Sequence, residues 1–275
     1  MEKIGSGVRG FAPGDAVTIQ PQVTCGTCYP CRHGAYHICD NLKVMGFQTS
    51  GAAQEFFAVK ADMVLKLPAS TSLDEAAMIE PVSVAVHALS RAGDVAGKKV
   101  LVLGAGTIGN LVGQVAQASG AEQVMITDIS EYKLEKARAC GLEHAINPQQ
   151  EDLGQAILDV FGPDKADLIL ECVGAQDTIT QAVANARKGS TIIVVGVFGK
   201  KPLVDLGLVQ DRELSLVGTL MYRKQDYERA IELVAVGKLR LDQMVTHRFD
   251  FKDYLQAYEA IEASGGKYIK VMIDL

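Results

Sequence analysis

Between Lys98 and Asp128 the chain leaves itself few choices of fold. Val100 to Leu103 is a short apolar run, the signature of a strand buried on both faces. Gly104, Gly106 and Gly109 follow immediately in G-x-G-x-x-G spacing. Ile108, Leu111, Val112, Val115 and Ala116 then recur at helical spacing, so the glycines open a helix. A second strand, Val124 to Thr127, ends on Asp128, about 20 residues past the last glycine. Glycines here permit a tight turn, close approach of a pyrophosphate and close helix–strand packing. The helix start offers free N–H groups and a positive dipole end to phosphates. Asp128 can accept hydrogen bonds from both hydroxyls of an adenosine ribose. The glycine spacing alone is weak; strand, glycines, helix, strand and acid in order predict dinucleotide binding. The competing reading is a glycine-rich turn that binds nothing.

The chain after Asp128 extends the same alternation. Ser130 is placed to cap a helix running to Cys140, with Lys133 on its first turn and within reach of the same ribose. Strands are predicted near His144–Ile146, Ala166–Cys172, Thr191–Val195 and Leu214–Leu220, with helices near Asp152–Phe161 and Asp177–Ala186. Six strands complete a doubly wound dinucleotide fold. From Tyr222 the character changes. A helix from Asp226 to Val236, a strand Val245–Phe249, a helix Phe251–Ala263 and a strand Tyr268–Ile273 are expected to return to the N-terminal β region.

Upstream, Ala16–Ile19, Gln54–Val59 and Met63–Leu67 read as strands. Cys25, Cys28, Cys31 and Cys39 are spaced C-x2-C-x2-C-x7-C. Four thiolates so close in sequence can converge on a tetrahedral zinc at little loop-closure cost. Disulfides are the alternative, disfavoured because cysteines three apart rarely pair. Four protein ligands leave no open position, so such a metal is structural. His33 and His37 of the same loop are expected to face solvent, and His144 and His247 to be packed or surface residues. Cys140 and Cys172 read as core residues. Ser72–Ile79 is predicted as a short helix broken at Glu80-Pro81, with a second helix beginning at Pro81. Glu80 is then either a carboxylate complementing a helix dipole or a functional group.

Net charge is −6, with no long basic run, which argues against nucleic acid and anionic membranes as partners. No apolar stretch reaches the length of a membrane span, and no signal core precedes the first strand, so the expected location is cytoplasmic.

Taken together, Gly14-Asp15 with Val17, the four-cysteine loop, Leu67-Pro68, Glu80-Pro81, Gly104–Gly109 and Thr246-His247-Arg248-Phe249 resemble the zinc-dependent medium-chain dehydrogenase/reductase family. The branch of sorbitol, threonine and butanediol dehydrogenases is the most similar. The resemblance runs end to end. It implies an α/β chain in which a Rossmann NAD-binding domain (residues 81–220) joins a discontinuous β-rich, GroES-like catalytic domain (residues 1–80 and 221–275). The implied activity is oxidation of a secondary alcohol or polyol to a ketone, with hydride passing to NAD, in a homodimer or homotetramer joined through the edge strand Leu214–Leu220. Implied NAD contacts are Gly104, Gly106, Ile108, Gly109, Asp128 and Lys133, with Val195 and Val197 flanking the nicotinamide. The four cysteines match the structural zinc site. Glu80 matches a carboxylate at or next to a catalytic zinc, and Tyr222 lies in the segment facing the substrate.

Two departures qualify this. The family's catalytic zinc also takes a cysteine and a Gly-His-Glu histidine, and a proton-relay hydroxyl lies in the same region. This sequence begins after all of them, so its catalytic domain is expected to be incomplete at the N-terminus. The alternative to a dehydrogenase is therefore a truncated, non-catalytic, zinc-stabilised NAD(H)-binding protein. A zinc-free quinone-reductase-like relative is a third option, and the cysteine loop argues against it. Met221-Tyr222 also stands where the sorbitol enzymes carry Arg-Tyr, which weakens sorbitol as the substrate.

Overall fold

Apolar residues on both faces of one strand require cover on both sides, and Lys99–Leu103 (β1) has it in the computed structural model, which describes residues 1–275. Val100 through Leu103 are completely buried. Five more strands share its sheet: Gln123–Thr127 (β2), His144–Ile146 (β3), Leu168–Glu171 (β4), Thr191–Val194 (β5) and Ser215–Gly218 (β6). All pairings are parallel, in the order β6-β5-β4-β1-β2-β3. Each strand lies within two residues of where the sequence pattern predicts it. The order reverses between β1 and β4, and the crevice beyond their carboxyl ends is where ligands bind in such sheets. Separate apolar cores lie on the two faces of the sheet, one built on Val100, Val102, Leu111 and Val112, the other on Leu101, Leu103, Ile157 and Ile192.

The largest correction concerns Pro81. Leu73–Ser90 (α1) is one continuous helix with Pro81 inside it, not two helices meeting at Glu80-Pro81. Ser72 and Glu75 close a capping box at its start. An interior proline costs about 3 kcal/mol. Met78, Ile79, Val82, Ala85, Val86 and Leu89 are all buried on this helix. At about 1.5–3 kcal/mol for each large side chain, their burial exceeds that cost. Glu80 therefore sits in mid-helix, and complementing a helix N-terminus is excluded as its role.

Outside the large sheet the strands form separate pairs. Val17–Ile19 pairs antiparallel with Val64–Lys66, and Gln22–Val23 with Lys43–Val44. Gln54–Val59, read as a strand, forms none. The C-terminal strand Lys270–Asp274 pairs in parallel with Val245–Asp250, not with the N-terminal β region. The return to that region is made elsewhere. Lys224–Ala235 (α2) lies against α1, the Tyr227 hydroxyl donates to the Ile19 carbonyl at 2.9 Å, and Arg248 pairs with Asp74. No helix is long and apolar enough to cross a membrane.

Candidate cofactor and metal sites

The glycine loop leaves the end of β1 and turns into the helix Thr107–Ala118, whose N-cap is Gly106 with no side-chain cap. Its first N–H groups are thus left for a ligand. Gly104 has φ +103°, and a methyl there would meet the Val173 side chain. A methyl on Gly109 would land on the Gly104 carbonyl oxygen. Gly106 differs: a methyl there meets nothing within 4 Å, so space lies open above the loop. Ile108 packs into the core below.

Asp128 stands at the end of β2 and holds this loop. Its Oδ2 accepts from the Ala105 amide at 2.9 Å, and its Oδ1 from the Ser130 amide at 2.9 Å. Ser130 occupies the N-cap position of the next helix, but its side chain makes no capping bond, contrary to expectation. Lys133 Nζ is 3.8 Å from the Asp128 carboxylate. The open space over Gly106, the uncapped helix start and the acid beside it fit the pyrophosphate and ribose of a dinucleotide.

Val195 is partly buried and Val197 is 90% exposed, on the segment leaving β5. Sequence reasoning missed their neighbour Glu171, which ends β4 and is fully buried. Its backbone carbonyl accepts from the amides of Val195 and Gly196, both at 2.8 Å. An acid closing the apolar run Leu168-Ile169-Leu170, as Asp128 closes β2, was the available signal.

The cysteine loop is preformed for a metal. The Cys25, Cys28, Cys31 and Cys39 sulfurs all lie within 4.8 Å of one another. Cys39 Sγ is 3.5 Å from Cys25 Sγ and 3.8 Å from Cys28 Sγ. These are not disulfide distances, and all four thiols are free. A zinc with bonds of about 2.3 Å sets tetrahedral S···S edges of about 3.8 Å, so the donor set fits. Cys25 is pulled down to about 5, first by the Thr27 hydroxyl and then by the Thr27 and Cys28 amides. Cys31 is pushed up to about 12 by burial and its neighbouring thiols, the strain a cation would relieve.

His33 faces solvent as expected, but His37 does not. It is buried edge-on against His87, ring centres 4.8 Å apart, and burial lowers it to about 4. His87 in turn bonds Asp226 at 2.8 Å. His144 is exposed, and His247 stacks on Tyr268. Cys140 is buried as expected, but Cys172 is only partly buried and lies beneath Gly109 at the crevice.

Glu80 and Tyr222 come together: the Tyr222 hydroxyl donates to Glu80 Oε1 at 2.7 Å. Tyr222 is wholly buried, packs edge-on against Tyr227, and its carbonyl accepts from Gln22 Nε2 at 2.6 Å. Glu80 belongs to no group of three or more Cys, His, Asp or Glu ligand atoms; the four cysteines are the only such group. A catalytic zinc needs about three protein ligands. The residues of this chain do not by themselves fit one.

Comparison with known proteins matches the chain to dehydrogenases. Residues 1–69 match the alcohol dehydrogenase GroES-like domain, and residues 107–236 match the zinc-binding dehydrogenase family. Sorbitol dehydrogenase 2 of Saccharomyces cerevisiae is 33% identical over 98% of this chain and 78% of its own length. A zinc-binding dehydrogenase from Sinorhizobium meliloti, bound to NADP, superposes with a TM-score of 0.91 at 29% identity, over 100% of this chain and 80% of its own. A short chain alcohol dehydrogenase from Escherichia coli, complexed with NADH, gives 0.92 at 28% identity, over 100% and 81%.

Proposed function

The chain belongs to the zinc-dependent, medium-chain alcohol dehydrogenase family, and from that membership we propose that it serves the NAD-linked oxidation of a secondary alcohol or polyol to a ketone. The observation that carries the cofactor half is the glycine loop tied to Asp128 through the Ala105 amide. In this reading Gly104, Gly106, Ile108 and Gly109 receive the pyrophosphate, and Asp128 with Lys133 receives the adenosine ribose. Val195 and Val197 flank the nicotinamide, which supplies a hydride acceptor when bound. The Asp128 charge repels a 2′-phosphate, so NAD is favoured over NADP. Cys25, Cys28, Cys31 and Cys39 hold a structural zinc.

Glu80 is assigned to the reacting side of the same cleft, oriented by Tyr222. No step through a catalytic zinc is assigned, because Glu80 belongs to no group of three ligands. That observation supports a second reading, in which the chain binds NAD(H) and one zinc without turning over alcohols. We further assign residues 1–80 and 221–275 to one domain and 81–220 to the other, with their boundary inside α1. Strand β6 is at the sheet edge, with Leu216 and Leu220 exposed, which supports a homo-oligomer paired through that edge.

The test combines three measurements on one preparation: NADH titration by fluorescence, zinc content by elemental analysis, and NAD reduction with a panel of polyols and secondary alcohols. NADH binding with substrate-dependent NAD reduction supports the dehydrogenase. NADH binding with one zinc and no turnover supports the second reading. Absence of NADH binding removes both.

A further inference from the structure

Glu171 is a carboxylate with no solvent exposure, and one of its oxygens has no partner. Its Oε1 is fully engaged, accepting from the Val173 amide at 2.9 Å, the Gly174 amide at 2.8 Å and the Thr178 hydroxyl at 2.7 Å. Oε2 accepts nothing, and it faces Gly196: a methyl built there would lie 2.7 Å from that oxygen. A buried carboxylate is costly unless hydrogen bonds replace its lost hydration, and here they do so at one oxygen only.

What it holds is the junction of three loops. The Val173–Gly174 turn leaves β4, and Gly174 has φ +76°. A methyl on Gly174 would strike the Val197 carbonyl, so this turn lies directly against the Val195–Val197 segment. Val173 reaches the other way, its side chain covering Gly104 of the glycine loop. The Glu171 backbone carbonyl fixes Val195 and Gly196 from below. One residue thereby sets the spacing between the glycine loop and the segment beyond β5, across the carboxyl end of the sheet. Asp128 does the equivalent on the far side, where it ties the loop to β2.

We propose that Glu171 is a positioning residue for the nicotinamide half of the cofactor, acting through the Val173–Gly174 turn and the Val195–Val197 segment. The inference rests on NAD(H) binding at the glycine loop. Asp128 and the helix start hold the adenosine and pyrophosphate through bonds of their own, so the influence of Glu171 falls mainly on the nicotinamide end.

Two ligands separate the ends: NADH, and ADP-ribose, which lacks the nicotinamide. Calorimetric titration of E171Q keeps the shape and removes the charge behind three donated hydrogen bonds. NADH affinity should fall roughly tenfold, while ADP-ribose affinity stays within about twofold. The fluorescence of bound NADH should shift toward that of free NADH, since the ring is held less firmly. T178V removes one donor at a half-buried position and should weaken NADH by about threefold in the same selective manner. If E171Q does not fold, T178V decides alone. Equal losses on both ligands, or no loss on NADH, overturn the proposal. If the wild-type protein binds neither ligand, NAD(H) binding itself is refuted, and the assignment of Glu171 goes with it.

Discussion

The phenol of Tyr222 donates a 2.7 Å hydrogen bond to Oε1 of Glu80, joining residues 142 positions apart in the chain. Burial, with the Glu80 charge beside it, holds the phenol far above its ordinary titration range, so it stays protonated and able to donate. The bond fixes the carboxylate of α1 against the segment that leads into α2.

Tyr222→Phe removes the donor and leaves the carboxylate partly desolvated. A bond to a charged group contributes about 1–2 kcal/mol once the partial exposure of Glu80 is allowed for. Thermal unfolding should therefore begin several degrees lower. Glu80→Gln keeps an acceptor and should cost less. An unchanged melting temperature in Tyr222→Phe would show that the bond contributes nothing to stability.

The glycines of the loop should respond to substitution in opposite ways. Gly109→Ala forces a methyl onto the Gly104 carbonyl, so the backbone must move. A loss of about 1–3 kcal/mol in stability should accompany the loss of NADH binding. Gly106→Ala meets no protein atom within 4 Å, and its φ of −66° suits any residue. That variant should melt like the wild type yet bind NADH at least about tenfold more weakly, because the methyl occupies the space of the pyrophosphate. Normal NADH binding by Gly106→Ala would place the phosphates elsewhere.

The loop, the sheet and the cysteine cluster were legible because their signals are local. Strand, glycines and helix follow one another within residues 99–118, and the four cysteines within residues 25–39. What sequence reading lost depends on distant partners. His37 is buried only because His87 and Asp226 arrive from α1 and α2. Gln54–Val59 alternates like a strand, but no neighbouring strand offers it hydrogen bonds, and alternation cannot supply a partner. Pro81 reads as a helix break, and locally it is one; the apolar burial that offsets it belongs to the tertiary structure. Glu171 was passed over because its three donors include a turn and a helix whose arrangement the strand pattern does not encode.

Metal removal should sort the six cysteines into two classes. With zinc bound, a thiol reagent at pH 8 should find few reactive groups. A strong chelator should release one zinc and open the loop thiols to the reagent, Cys25 first, since its pKa is lowered to about 5, and Cys31 last and slowly, since its own is raised to about 12. Cys140 is pushed up to about 11 by burial, and burial raises Cys172 as well. Their neutral form is the one favoured by folding, so thiolate appears only as pH climbs well beyond the ordinary thiol range. Cys140 should stay unlabelled until denaturant is added, while Cys172, only partly buried beneath Gly109, should react slowly because its thiol stays neutral at pH 8. Labelling of all six on chelation alone would mean that the nucleotide-binding sheet unfolds with the zinc loop.

Cofactor choice turns on Asp128 and the lysine beside it. The carboxylate repels a 2′-phosphate, while Lys133 Nζ, 3.8 Å away, is neutralised by it. Asp128→Ser removes the charge, keeps a small acceptor for the Ala105 amide, and frees Lys133 to face a phosphate. NADH affinity should fall about tenfold as the ribose loses its acceptor, and NADPH affinity should rise by a similar factor, a combined shift of roughly a hundredfold. Adding Lys133→Ala should cancel the NADPH gain without restoring NADH, because only the phosphate contact depends on the lysine. Fluorescence titration of the three proteins with both cofactors measures this directly. Equal affinity of the wild-type chain for NADH and NADPH would remove Asp128 as the discriminating group and turn attention to Lys133 alone.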